Sequence, residues 1–186
     1  MPSNQRHLPH RYKLNNPIFI TFRLHGSLPP GREFPKGLNT SGKAFVCMDR
    51  LLDTNLHSAR YLRQPDIAQG VYDTIQSSAQ HSYELHTWVI MPNHVHLLMT
   101  PATDVSRILQ QIKGASAHAA NAILGLTGQP FWQNESYDHL VRNEDEFRRI
   151  DRYILQTPVK AGLVECAGDY RWSSAFAGVG LKSSAG

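Results

Sequence analysis

Strands and helices alternate along this chain in the order strand, helix, two strands, helix, strand, and a further helix follows. That order predicts an α+β fold, a ferredoxin-like β-α-β-β-α-β domain: an antiparallel sheet with helices on one face, the other face free for ligands, and an added C-terminal helix. Three observations carry it. Ile18, Ile20, Phe22 and Leu24 alternate with less apolar residues, the two-residue period of a strand with one buried face. Two strand-like arms, Tyr83 to Ile90 and the run from His94, flank Pro92-Asn93. Pro fixes φ there and Asn tolerates turn geometry, so the arms read as a hairpin. The stretches between the strands carry apolar residues at helical spacing.

Residues 1–16 are polar, with Arg6, His7, His10, Arg11 and Lys13, and read as a basic flexible arm. Residues 17–177 form the domain, and 178–186 read as a disordered tail. After the first strand, Gly and Pro from Gly26 to Thr40 make a loop. A short helix from Ala44 to Leu52 turns Ala44, Met48, Leu51 and Leu52 inward. Pro65 suits a helix N-terminus, where its missing N–H costs nothing. Ile67, Val71 and Ile75 carry that helix to about Gln80. Pro101 ends the hairpin. Asp104 caps the next helix, with an inner stripe of Val105, Ile108, Ile112, Ala115, Ala119 and Ile123, and Gly125 stops it. Its outer face offers Arg107, Lys113 and His118. Tyr137 to Arg142 is a short strand. Asn143 opens the added helix, with Glu146 at the capping-box position and Phe147, Ile150 and Ile154 inward, and Pro158 is expected to end it.

Composition narrows the function. The 186 residues are 41% hydrophobic, enough for one real core. The net charge of +4 and pI of about 9.2 are compatible with a phosphate-bearing partner. No apolar run reaches membrane-spanning length, and Cys47 and Cys166 lack metal spacing, so a cytoplasmic protein with free thiols is expected.

The chemistry gathers at two places. In the second hairpin arm His94 and His96 share a face, while Val95, Leu97 and Met99 point into a core. Two imidazoles side by side on a rigid strand are half of a metal site, although such a pair also occurs as ordinary hydrogen-bonded histidines. On the added helix, Tyr153 shares a face with Arg149, Gln156 and Thr157. It is either a boundary residue or a phenolic nucleophile. A phenol is a poor nucleophile when protonated and needs a polarised electrophile, such as a phosphodiester held on a divalent metal.

Met91-Pro92-Asn93-His94-Val95-His96-Leu97-Leu98 resembles the His-hydrophobic-His motif of the single-tyrosine HUH transposases. Tyr137-Asp138-His139, Arg142-Asn143-Glu144, Tyr153-Ile154, Pro158 to Val164 and Trp172-Ser173-Ser174 resemble that family's C-terminal half. Phe22-Arg23-Leu24-His25-Gly26 resembles its first strand. The likeness runs from about Ile18 to Ser174 and points to the REP-associated tyrosine transposases within the family. It implies Mg²⁺ or Mn²⁺ on His94 and His96, and Tyr153 attacking a phosphodiester of single-stranded, hairpin or repeat DNA. The products would be a 5′-phosphotyrosyl link and a free 3′-hydroxyl. The family usually has an amide four residues after the tyrosine as third metal ligand. Thr157 stands there, so Gln156, with a carbonyl on a long stem, is the expected third ligand. Arg23, Lys113, Arg149, Arg152 and Lys160 are the expected DNA contacts. Two other functions stay open: a nucleic-acid binder without catalysis, favoured by Thr157, and a metal-dependent hydrolase of small phosphoesters. Monomer and homodimer are both open.

Overall fold

A computed structural model describes residues 14–28, 42–54 and 58–177, and for 42–45 and 48 the backbone alone. Most of the expected arm, most of the loop from Gly26 to Thr40, the inward placement of Ala44 and Met48, and the tail lie outside the described residues.

Four strands make one antiparallel sheet: β1 (Ile18–Arg23), β2 (Tyr83–Ile90), β3 (His94–Pro101) and β4 (Tyr137–Leu140). Their order is β2-β3-β1-β4, so the two sequence-distant strands β1 and β3 are central. The helices are α1 (Gly42–Thr54), α2 (Pro65–Ser82), α3 (Val105–Leu124) and α4 (Glu144–Lys160). The α+β architecture and the antiparallel sheet agree with the sequence reading.

One sheet face packs under α2 and α3. Ile18, Ile20 and Phe22 of β1 and Val95, Leu97 and Met99 of β3 meet Ile67, Val71, Ile75, Ile108 and Ile112 there, all buried. The other face was expected to be free for ligands, and it is not. Phe19, Val89 and Leu98 pack with Leu52 of α1 and Ile154 of α4. The physical reason is visible in β1 itself: Phe19 is an aromatic on the supposedly open face, and packing Leu52 and Ile154 over it removes apolar area from water.

Three further differences bear on the site. The inner stripe of α3 leaves Ala115, Ala119 and Ile123 outside and buries Ser116, Ala120 and Asn121 instead. The indole N–H of Trp132 donates to Ser116 Oγ at 2.9 Å, so a hydroxyl is satisfied inside the core and the stripe can follow it. A β-bulge between Leu85 and Thr87 inverts the alternation of β2, sending Thr87 and Val89 to the α4 side. The Thr87 hydroxyl donates to Asp151 Oδ1 and ties α4 to the sheet edge. Finally, Pro158 does not stop α4, which runs on to Lys160. A proline lacks only its own N–H, so near a C-terminus it forfeits one intrahelical bond, and the turn closes at Gly162 with φ of +68°.

Candidate active site

His94 and His96 emerge from β3 on the α1/α4 side and are fully buried. Each is held through Nδ1. The His94 Nδ1–H donates to the Asn93 side-chain oxygen at 2.8 Å, and His96 Nδ1 is 2.7 Å from the Thr21 hydroxyl, its partner across the β1–β3 ladder. A donor proton at His94 Nδ1 leaves Nε2 as a lone-pair acceptor. Burial, against the opposing pull of Asp49, lowers the His94 pKa to about 3, so this imidazole is neutral and fit to ligate.

Both Nε2 atoms face Asp49, a residue the sequence reading passed over. Asp49 Oδ1 lies 3.5 Å from His94 Nε2 and 3.2 Å from His96 Nε2. The carboxylate is 3% exposed. Burial pushes its carboxyl up, but the imidazole of His96, then His94, and the Tyr153 hydroxyl outweigh that and hold it below the ordinary carboxylate range. Asp49 Oδ1 and His94 Nε2 are buried without a hydrogen bond of good geometry. Asp49, His94 and His96 offer one donor atom each, all within 4.8 Å of one another. Ligands about 2.1 Å from a divalent ion at right angles would stand about 3 Å apart, so the spacing and the N, N, O donor set fit one. The missed signal was an acid on an otherwise apolar helical face: Asp49 is three residues before the buried Leu52 and three after Val46.

Tyr153 projects from α4 to the same place. Its hydroxyl donates to Asp49 Oδ2. Its ring lies 5.8 Å from His96 and edge-on to Phe19 at 6.3 Å, with Lys160 Nζ 4.8 Å from its centroid. Burial first, and then the Asp49 charge, push the phenol above its ordinary range, so it is a proton donor at rest. A cavity of about 320 Å³ opens between α1 and α4 over Asp49 and Tyr153. Asp53 also lines it, its pKa raised to about 7 by burial and by the neighbouring Asp49.

The remaining expected residues divide. Gln156, the expected third ligand, is exposed on α4, whereas Thr157 is buried and its hydroxyl donates back to the Tyr153 carbonyl at 2.8 Å. The helix rotation that sets Tyr153 against Asp49 carries Thr157 inward and Gln156 outward, and the third buried donor comes from α1. Arg23 is 2% exposed and pairs with Glu135. Lys113 donates to the carbonyls of Gln133 and Asn134, the latter at 3.0 Å, and burial lowers its pKa to about 8. Both cations pin the segment before β4 because burial leaves them its carbonyls and a carboxylate as partners in place of water. Arg149, Arg152 and Lys160 are exposed along α4.

Residues 58–157 match the family model described as Transposase IS200 like. The REP-associated tyrosine transposase of Escherichia coli strain K12 is 32% identical over 95 residues, 50% of this chain and 54% of that one. The ISDra2 transposase TnpA of Deinococcus radiodurans is 31% identical over 96 residues, 48% of this chain and 69% of that one. The chain thus spans about half the length of the first relative. A solved structure of the REP-associated tyrosine transposase bound to a REP hairpin shares the fold, with a TM-score of 0.58 at 21% identity over 88% of this chain and 79% of that one. Because the matched stretch takes in more than half of the chain, and both histidines and Tyr153 with it, the protein belongs to the IS200-like transposase family.

Proposed function

We propose that the chain is a metal-dependent single-stranded DNA endonuclease and strand transferase that acts through Tyr153 on hairpin or repeat DNA. One observation carries this reading: a single carboxylate, Asp49, faces both histidines through one oxygen and receives the Tyr153 hydroxyl on the other. A phenol and a buried N, N, O donor set on one pocket floor are what phosphodiester attack by tyrosine requires. His94, His96 and Asp49 are the residues that would hold Mg²⁺ or Mn²⁺. A bound divalent ion would draw charge from the phosphoryl oxygens.

The chain's own groups do the rest. The Tyr153 oxygen forms a bond to phosphorus as the bond from phosphorus to the 3′-oxygen breaks. The phenol gives up one proton and the departing 3′-oxygen takes one up. The link formed, a 5′-phosphotyrosine, keeps the ester's energy, so attack by another 3′-hydroxyl reverses the step and joins strands. The exposed cations Arg149, Arg152 and Lys160 on α4 would contact the DNA backbone. The rival reading, a binder that has lost catalysis, rested on Thr157 in place of an amide. A carboxylate oxygen from α1, within 3.5 Å of both imidazoles, supports the catalytic reading over that one.

The test is covalent trapping. Labelled hairpin DNA from the gene's flanks, incubated with Mn²⁺, should give an adduct that survives denaturant. Tyr153→Phe keeps the ring and deletes the hydroxyl, so it should fold and form none. An adduct that persists in this variant, or that maps to Tyr137, would sink the assignment.

A further inference from the structure

The cavity over Tyr153 has a second chemical character besides its acids. Val46, Asp49, Arg50 and Asp53 lie on one face of α1, at helical spacings of three, four and seven, and form one wall. Tyr153, Thr157 and Lys160 of α4 form the other. Each wall therefore carries one cation, Arg50 on α1 and Lys160 on α4. Both cations are exposed, and among the described residues neither makes an ion pair. That sets them apart from Arg23, paired with Glu135, and Arg148, paired with Glu144. Lys160 Nζ stands over the Tyr153 ring, and Arg50 is near enough to pull the phenol pKa down against the two acids.

We propose that Arg50 and Lys160 are a phosphate seat: they grip, from the two walls, the non-bridging oxygens of the phosphodiester that Tyr153 attacks. The inference rests on the function proposed above and names how that substrate is held. A phosphate entering a pocket that already carries Asp49 and Asp53 meets repulsion, and two unpaired cations at the walls offset it. Their chemistries complement each other. The Arg50 guanidinium offers a planar fork to two oxygens, and the Lys160 ammonium is a compact charge. The cavity of about 320 Å³ sits at the small end of ligand-sized pockets, roughly 300–1,000 Å³, which suits one phosphate with its sugar rather than a duplex. As the phosphorus is attacked, charge collects on the non-bridging oxygens, so the same two cations favour the transition state over the ground state. Lys160 reaches this position only because α4 continues past Pro158.

The experiment uses the full chain and a single-stranded oligonucleotide whose cleaved position has been mapped from the wild-type adduct. Arg50→Gln and Lys160→Gln should each slow adduct formation at least tenfold. Each should also lower the slope of log affinity against log salt by about 0.7, one phosphate contact on a single strand. With divalent ions removed by chelation, an uncharged methylphosphonate at the mapped position should weaken binding to the wild type, and should add nothing in the double variant. Lys160→Arg, which restores charge, should recover most of the rate; this separates the seat from mere packing on Tyr153. Arg148→Gln, already paired outside the pocket, should match the wild type. The seat is overturned if the wild type forms the adduct and both glutamine variants form it as fast with unchanged methylphosphonate sensitivity. If the wild type forms no adduct at all, the proposed function fails and the seat falls with it.

Discussion

Asp49 changes what each neighbouring residue is expected to do. It offers a buried donor atom beside those of His94 and His96, whereas Gln156 is exposed on α4. Asp49→Ala should therefore weaken Mn²⁺ binding by tenfold or more in calorimetric titration, with circular dichroism unchanged, while Gln156→Ala should leave it within twofold. The opposite ranking would return the third ligand to α4. Asp53 makes a separate prediction about pH. Burial and then Asp49 raise its pKa from 3.8 to about 7. A group whose folded pKa is raised contributes stability that is complete below its unfolded pKa and lost as pH rises through the folded one. Asp53→Asn removes that loss, so the variant should gain on the wild type between about pH 4 and 7 and hold a constant lead above. The lead should be on the order of 1–2 kcal/mol once partial exposure is discounted. Denaturant melts of both proteins across that range check it, and a flat difference would show that Asp53 is not ionising against Asp49.

At the scale of elements, the site depends on two helices being fixed to one sheet face. Asn93 joins α1 to it. Its amide N–H donates to the Leu52 carbonyl of α1 at 2.8 Å, while its oxygen accepts from His94 Nδ1. One side chain thus sets both the tautomer of a ligand and the position of the helix that supplies Asp49. Asn93→Ala leaves the buried Leu52 carbonyl and the imidazole unpartnered. It should cost about 1–3 kcal/mol in denaturant unfolding and about 10–100-fold in Mn²⁺ affinity. A variant that loses stability but keeps wild-type affinity would show that the residue serves the turn alone. The α4 side is held by Thr87 and Asp151 beyond the bulge, two residues before the tyrosine. The bulge matters here because without it Thr87 would face α2 and α3.

At the scale of the whole molecule, the tyrosine meets His96 and Asp49 of its own chain. One copy therefore brings Tyr153, His96 and Asp49 together on one pocket floor. Two inactive variants, Tyr153→Phe and His94→Ala, should stay inactive when mixed, since neither can lend the missing half to the other. Adduct formed by the mixture, measured on a denaturing gel, would mean that α4 is exchanged between copies. No helix among the described residues is long and apolar enough to cross a membrane. The net charge of +4 is modest, so the expected attraction for DNA lies in the placement of cations along α4 rather than in their number.

The sequence by itself determined the strand order, the hairpin, the shared face of His94 and His96, and the candidacy of Tyr153. These follow from local periodicity, turn chemistry and motifs, which are written in neighbouring residues. It also carried the resemblance to the transposase family, because the motifs occur in order along the chain. It did not show Asp49, 45 residues before His94 and on a helix whose apolar stripe can be drawn without it. Nor did it show that the second sheet face is covered, that Arg23 and Lys113 are engaged with the segment before β4, or that Gln156 turns outward. Each of these depends on how a helix is rotated about its axis and which surface it meets. Neither is set by spacing along the chain; both are settled when Phe19, Leu52 and Ile154 close over the same sheet face and bring a carboxylate against two buried imidazoles.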